Sequence, residues 1–238
     1  MRTFGLIGKH LSHSFSAGYF TEKFLQEGIA NTRYINFELE KISDFKELIK
    51  KNNLSGVNVT IPYKEAIIPL LDELDQEAKV IGAVNTIRFK NEKLIGYNTD
   101  HIGFKSSIQP LLRNQNKAII LGDGGAAKAV KYTLQKLNIK YETIKRFRLT
   151  KCLDKKTEKT GFQVVIINTT PVGSYPRTDQ FPNIPYKYLN ENFLLFDLIY
   201  NPDETKFLAH GKARGAQTKN GLEMLQKQAE ESWKIWNL

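Results

Sequence analysis

Short apolar runs alternate along the chain with longer stretches in which apolar residues recur at helical spacing, and this alternation predicts its elements. Thr3–Ile7 reads as a strand, followed by a helix over Ser16–Gln26. Tyr34–Glu38 is a second strand, and Ser43–Lys51 a second helix with Ser43 as its expected N-cap. Gly56–Thr60 is a third strand, halted by Pro62. Ala83–Phe89 and Leu94–Asn98 read as a hairpin around Asn91-Glu92-Lys93. A second unit is expected to begin near His101, with a helix over Gly103–Leu112, a compact strand at Lys117–Leu121, a glycine-rich turn from Gly122 to Ala127 and a helix over Ala126–Leu137. Tyr141–Lys145, Phe162–Asn168 and Phe193–Leu198 follow as strands; the last two are apolar enough to be buried on both faces. Ser174–Asn190, with Pro176, Pro182 and Pro185, is expected to be irregular, and Gly221–Trp236 reads as an amphipathic helix carrying Trp233 and Trp236 as core or domain-interface anchors. The pattern predicts an α/β fold with a mainly parallel sheet.

Composition narrows the function more than the fold. Of 238 residues 41% are apolar and 25% charged, enough to bury a core and too little charge for disorder. The formal net charge of +10 is spread along the chain; the closest lysine runs, Lys50-Lys51 and Lys155-Lys156, are short. That distribution fits a cleft for small anions better than a nucleic-acid surface. Cys152 is the single cysteine, so no intrachain disulfide can form. Met1–Gly8 reads as a strand and not as a signal peptide, and no apolar run approaches the roughly 20 residues that cross a bilayer. A cytoplasmic location, with neither a membrane nor a nucleic-acid partner, is the expectation. His10, His13, His101 and His210 lack metal-ligand spacing, and no metal is expected.

The most specific local signal is Gly122-Asp123-Gly124-Gly125-Ala126-Ala127, a G-x-G-x-x-A pattern between a predicted strand and a predicted helix. Gly122 would make the tight turn, Gly124 would let a pyrophosphate approach the backbone, and Ala127 would allow close helix–sheet packing. The helix start supplies amide donors and a positive dipole to an anion. Asp123 inside such a loop would repel the ligand unless its side chain turns away. An NAD site would place an acid at the end of the next strand. Glu142 instead falls near that strand's start, and the end reads Lys145-Arg146-Phe147-Arg148, cations suited to the 2′-phosphate of NADP.

Polar clusters at strand ends complete the picture: Ser12-His13-Ser14-Phe15-Ser16, then Asn58-Val59-Thr60-Ile61-Pro62-Tyr63-Lys64, Gly82-Ala83-Val84-Asn85-Thr86 and Asn98-Thr99-Asp100-His101-Ile102-Gly103. They continue as Asn168-Thr169-Thr170-Pro171-Val172-Gly173, Asp197-Leu198-Ile199-Tyr200-Asn201-Pro202 and Asn220-Gly221-Leu222-Glu223-Met224-Leu225, with Gln228-Ala229 beyond. In this order the blocks resemble the shikimate dehydrogenase family over nearly the whole chain. The resemblance implies an N-terminal α/β substrate domain (1–101 with 222–238) and a Rossmann-type NADP-binding domain (102–221). It implies reduction of 3-dehydroshikimate to shikimate by NADPH, with Lys64 and Asp100 as the catalytic pair. Ser14 and Ser16, assisted by Thr60 and Tyr200, would bind the substrate carboxylate, while Asn85, Asp100 and Gln228 would bind ring hydroxyls. Gly122, Gly124, Gly125, Ala126, Arg146, Asn168, Thr169, Leu198 and Gly221 would surround the cofactor. A monomer or a homodimer is expected.

The residue types suit that chemistry. Hydride attack on a ketone carbon leaves charge on the oxygen, which a nearby ammonium stabilises and protonates. Asp100 has the competing role of capping the following helix, and Ser14 and Ser16 that of capping theirs. His13 and His101 are weaker acid–base candidates, because Lys64 already supplies the proton. The chain departs from the family pattern at His10 and Ala17, where prolines are usual, and at Lys145-Arg146-Phe147, where Asn-Arg-Thr is usual; only Arg146 is kept. Thr150–Gly161 is short for a full crossover helix. These departures leave an NAD-accepting quinate/shikimate dehydrogenase, or an inactive NADP-binding regulatory protein, as alternatives.

Overall fold

The computed structural model describes residues 1–12, 14–144 and 163–238. The chain divides into two compact units, 1–100 with 228–238, and 101–227.

The first unit is built on a six-stranded sheet of order β2-β1-β3-β5-β6-β4. Its strands are β1 (Arg2–Gly8), β2 (Thr32–Glu38), β3 (Leu54–Val59), β4 (Glu73–Leu74), β5 (Thr86–Lys90) and β6 (Lys93–Tyr97). β1 pairs parallel with both β2 and β3, whereas the β5–β6 hairpin pairs antiparallel. The hairpin turn is Asn91-Glu92, both at positive φ (49° and 65°), the conformation whose twist matches a two-residue connection. β1 sends Phe4 and Leu6 to one face, where Phe20 and Phe24 of α1 (Phe15–Gln26) pack with Tyr34 and Trp236. Ile7 goes to the other face with Val57, Val59, Ile87 and Phe45 of α2 (Phe45–Lys51). Ser43 is not the N-cap of that helix. Ile42–Asp44 tightens into a 3-10 turn first, so the α-helix starts at Phe45 behind Asp44.

The second unit holds a wholly parallel sheet of order β11-β10-β9-β7-β8. The strands are β7 (Lys117–Leu121), β8 (Lys140–Ile144), β9 (Val164–Asn168), β10 (Phe193–Asp197) and β11 (Gln217–Lys219). Successive residues of β7, β9 and β10 enter opposite cores. Ala118, Ile120, Val165, Ile167, Leu194 and Phe196 meet Phe104 and Ile108 of α4 (Asp100–Ile108) and Ala127, Val130 and Leu134 of α5 (Gly125–Lys136). Ile119, Leu121, Val164, Ile166, Phe193 and Leu195 meet Phe207 and Leu208 of α6 (Lys206–Lys212). Apolar residues at every strand position are what a sheet covered on both faces requires. Strand order reverses between β7 and β9, the switch point at which open parallel sheets bind ligands. The helix expected over Gly103–Leu112 starts earlier, at Asp100, and ends in a 3-10 turn at Gln109–Leu111.

The last helix, α7 (Leu222–Trp236), starts in the second unit and ends in the first. Among the described residues no helix is long and apolar enough to cross a membrane, and no three His, Cys, Asp or Glu side chains group as metal ligands would.

Candidate active site

In the first unit, β3 ends at Val59 and the chain turns through Thr60–Lys64, with the Tyr63 amide donating to Thr60 O at 2.9 Å. Lys64 is held there by its own carbonyl, which accepts the Val84 amide at 2.7 Å. Its Nζ donates to Asp100 Oδ2 at 2.6 Å; the two side chains are 14% and 4% exposed. Asp100 is the first residue of α4 and not the cap residue before it, so the expected capping role gives way to its bonds with Lys64 and Asn85. A buried pair of this kind survives desolvation only when its remaining hydrogen-bonding capacity is met. Here Asn85 Nδ2 donates to the other carboxylate oxygen, Asp100 Oδ1, at 3.0 Å. The same nitrogen lies 2.7 Å from Gln228 Oε1 and 2.9 Å from Thr99 Oγ1. The Thr99 amide donates to Asn85 Oδ1 at 2.6 Å, and that fixes which way the amide points. Gln228 therefore does not face solvent.

A second layer, which the sequence did not single out, supports this group. Asn58 Nδ2 lies within hydrogen-bonding reach of Asn85 O, Thr86 Oγ1 and Ser232 Oγ at 3.1, 3.1 and 2.9 Å, and Tyr34 donates its phenol proton to Asn58 Oδ1 at 2.9 Å. Burial pushes the Tyr34 phenol above its ordinary range, so it serves as a fixed donor; Ser16 bonds to the same hydroxyl. Ser14 precedes α1 but does not cap it through its side chain. Its Oγ is buried without a hydrogen-bond partner, a state that a ligand would relieve. Thr60 sits across from Gly8, whose missing side chain leaves room for the Thr60 methyl. His13 lies outside the described residues. The His101 carbonyl accepts from Thr133, and its ring packs edge-on against Tyr132 in the second unit.

In the second unit the glycine-rich loop leaves β7 at the switch point. Gly122 has φ +109°, and a Cβ there would lie 2.6 Å from Thr169 Oγ1, so the turn needs glycine. Thr169 itself is tied to the same strand end, donating its amide and hydroxyl to Leu121 O at 2.9 and 2.7 Å. Gly124 precedes α5, and a Cβ on it would meet nothing within 4 Å. No packing demands glycine at this position, whereas a phosphate lying against the backbone would. Gly125 and Ala126 begin the helix, whose first-turn amides lack intrahelical partners, and Ala127 is fully buried against the sheet. The residues present therefore fit a dinucleotide. Asp123 is less costly than its position suggested, since its carboxylate pairs with Lys131 on α5. Glu142 lies in the middle of β8, paired with Lys117 at 3.1 Å, away from the strand end where a ribose acid would act. Arg146, with Lys145, Phe147, Cys152 and Thr150–Gly161, lies outside the described residues.

Asn168, Leu198 and Gly221 meet at the ends of β9 and β10. Leu198 donates its amide to Asn168 O at 3.0 Å, and a Cβ on Gly221 would lie 2.2 Å from Leu198 O. Tyr200 follows two residues after Leu198 in the same unit. Asp197 anchors this corner. Its Oδ1 accepts from Asn168 Nδ2 at 3.0 Å and from the Ile199 amide at 3.1 Å, and its Oδ2 lies 2.6 Å from the Thr205 hydroxyl that caps α6. Burial pushes the Asp197 carboxyl up to about 7, against the pull of these three donors. Below that value the folded state thus favours the neutral form. The sign follows: this contribution is complete below the unfolded value near 4 and is lost as pH rises through about 7. We expect chemical denaturation to show stability falling over that window by on the order of 4 kcal/mol from this group, and Asp197→Asn to flatten the decline.

A parallel sheet with a glycine-rich loop at its switch point, in a chain whose other unit carries a buried lysine–aspartate pair, defines an α/β oxidoreductase of the dinucleotide-binding class. The family model for the shikimate dehydrogenase substrate binding domain matches residues 6–87. The shikimate dehydrogenase (NADP(+)) of Methanococcus maripaludis is 39% identical over 98% of this chain and 90% of its own length. The solved shikimate dehydrogenase 1 of Peptoclostridium difficile is 39% identical with a TM-score of 0.86, covering 100% of this chain and 92% of that one. The Thermus thermophilus shikimate 5-dehydrogenase, solved with NADP(H) and shikimate, is 28% identical with a TM-score of 0.83, covering 99% and 93%. The chain belongs to the shikimate dehydrogenase family.

Proposed function

We propose that the chain reduces 3-dehydroshikimate to shikimate with NADPH, the first unit holding the substrate and the second the cofactor. The observation that carries this reading is the buried Lys64–Asp100 contact of 2.6 Å, with Asn85 on the second carboxylate oxygen and Gln228 on Asn85. Lys64 stabilises the charge that forms on the ketone oxygen and hands over its proton; an ammonium does both without a change of partner. Asp100 holds Lys64 in place and, with Asn85 and Gln228, accepts and donates hydrogen bonds to ring hydroxyls. Ser14, with its unpaired buried hydroxyl, joins Ser16, Thr60 and Tyr200 in binding the carboxylate. Bound NADPH supplies the hydride. Gly122, Gly124, Gly125 and Ala126 hold its pyrophosphate, Arg146 its 2′-phosphate, and Asn168, Thr169, Leu198 and Gly221 line the rest of its site. The enzyme is cytoplasmic and acts as a monomer or a homodimer.

The test is a four-way assay of shikimate and quinate, each with NADP and with NAD. Turnover of shikimate with NADP is expected to dominate. Dominant turnover with NAD would overturn the cofactor assignment. Failure of folded, NADP-binding protein to consume NADPH with dehydroshikimate would overturn the activity.

A further inference from the structure

The side chain of Asn168, at the end of β9, has no hydrogen bond left to offer a cofactor. Asn168 is fully buried. Its Nδ2 donates to Asp197 Oδ1 at 3.0 Å and to Val172 O at 3.3 Å. Its Oδ1 accepts the Thr170 amide at 3.1 Å and the Thr170 hydroxyl at 2.7 Å. A primary amide carries two hydrogens and one oxygen with two lone pairs, so these four bonds complete it. Asn168 therefore lines the site as part of its wall, with the amide turned inward. Two of the four bonds fall on Thr170, and Thr170 packs on the glycine-rich turn. A Cβ added to Gly122 would lie 3.0 Å from Thr170 Cγ2 and 2.6 Å from Thr169 Oγ1. On the far side of the amide stands Asp197, also fully buried. Its Oδ1 takes both the Asn168 hydrogen and the Ile199 amide, the latter at 3.1 Å, while its Oδ2 meets the Thr205 hydroxyl at 2.6 Å. The Ile199 carbonyl in turn accepts the Gly221 amide at 2.9 Å. One carboxylate oxygen thus holds the two stretches of chain that border the glycine-rich turn and the Leu198–Gly221 corner.

We infer that Asp197 is a positioning residue for the cofactor site: through Asn168 and Thr170 it fixes the chain on which the Gly122 turn packs, and through Ile199 it fixes the corner that carries Leu198 and Gly221. Neither the Asp197 carboxyl nor the Asn168 amide touches the dinucleotide. Without Oδ1, one Asn168 hydrogen stands in a dry place with no acceptor. A buried donor left alone is costly, so the amide shifts to find another acceptor and Thr170 shifts with it. The turn then presents its backbone to the pyrophosphate less accurately. The inference rests on the assignment of the glycine-rich turn to the pyrophosphate.

The test compares Asp197→Ala with Asp197→Asn, and adds Thr170→Val, which removes the hydroxyl on Asn168 from a half-buried loop position and keeps the side chain's shape. Asp197→Ala is expected to weaken NADP about tenfold, in KM and in affinity measured by calorimetry, because two buried bonds lose their acceptor. Shikimate affinity should not move. Asp197→Asn keeps an oxygen for Asn168 and Ile199, so it should restore NADP affinity to within about twofold of wild type. Thr170→Val should weaken NADP about fivefold, the value of one hydrogen bond, and keeps the inference testable where Asp197→Ala does not fold. A purely structural carboxylate would lower melting temperature and active fraction while leaving NADP affinity in place. That result, or an Asp197→Asn variant as weak for NADP as Asp197→Ala, overturns the inference. Gly124→Val separates the two levels. If it leaves NADP affinity unmoved, the assignment of the turn fails; if it weakens NADP while Asp197→Ala and Thr170→Val do not, only the positioning role fails.

Discussion

Lys64→Met is expected to lower kcat about a thousandfold while shikimate still binds. In the proposed mechanism Lys64 donates the proton, and among the described residues of the site no other cation lies on Asp100. The carboxylate stays behind in the variant, buried and 3.0 Å from the Asn85 amide. Loss of its ammonium partner leaves a charge that the remaining amide only partly compensates, so the variant is also less stable. Affinity and turnover should therefore separate: titration with shikimate gives a measurable dissociation constant, and stopped-flow mixing with NADP gives almost no hydride transfer. Near wild-type turnover would remove Lys64 from the chemistry. Equal loss of binding and turnover would make it a ligand-binding residue.

Trp236→Ala should be the most destabilising single change in the first unit, costing about 3–5 kcal/mol in urea denaturation. For a chain of this length that corresponds to about 10 °C in melting temperature. Trp236 is 6% exposed, stacks on Phe4 with centroids 4.7 Å apart, and packs against Phe20 at 5.5 Å. Its Nε1 donates to Ile87 O at 3.0 Å, a carbonyl that the alanine would leave buried without this donor. The indole fills the space over Gly56, where a Cβ would fall 2.4 Å from the ring. Gly56→Val should expel the ring and cost a similar amount. A loss below about 1 kcal/mol in either variant would mean that the core relaxes around the change.

The parts of the fold that could be read along the chain were those with strong local periodicity. The parallel strands of the second unit are apolar runs, and the hairpin turn at Asn91-Glu92 adopts the positive φ that its position demanded. Short elements were missed. β4 and β11 have two and three residues and almost no apolar signal, and α6 has seven residues with lysines at both ends. The six-residue helix α3 (Gln76–Ile81) was also missed, although its caps are written in the sequence. Asp75 accepts from the Glu77 amide at 3.0 Å, and Gly82 closes the helix in the left-handed conformation at φ 68°.

The site divides in the same way. Lys64, Asp100, Asn85 and Gln228 were recognised from their motifs, and they do meet. Asn58, Thr86, Thr99 and Ser232 were not, because each is an ordinary polar residue along the chain and only the fold brings them together. One signal was available: Asn58 stands between Val57 and Val59 in a buried strand, where a polar side chain needs a partner. Asp197 gave a similar signal at the end of Phe193–Asp197. Ser43 misled because a serine before a helical run resembles a cap, whereas the 3-10 turn that consumes it leaves no trace in residue type.

Because α7 ends in the first unit, the order of synthesis matters. Residues 1–100 leave the ribosome without Gln228, Ser232 or Trp236, which stand more than a hundred residues later. The N-terminal unit then has an unfilled slot over Gly56 and an incomplete polar layer until residues 228–236 have been made. Nascent chains usually mature from the front. Here the unit made first is completed last, and ribosome-stalled chains ending before Gln228 should be far more open to protease in residues 1–100 than the released protein.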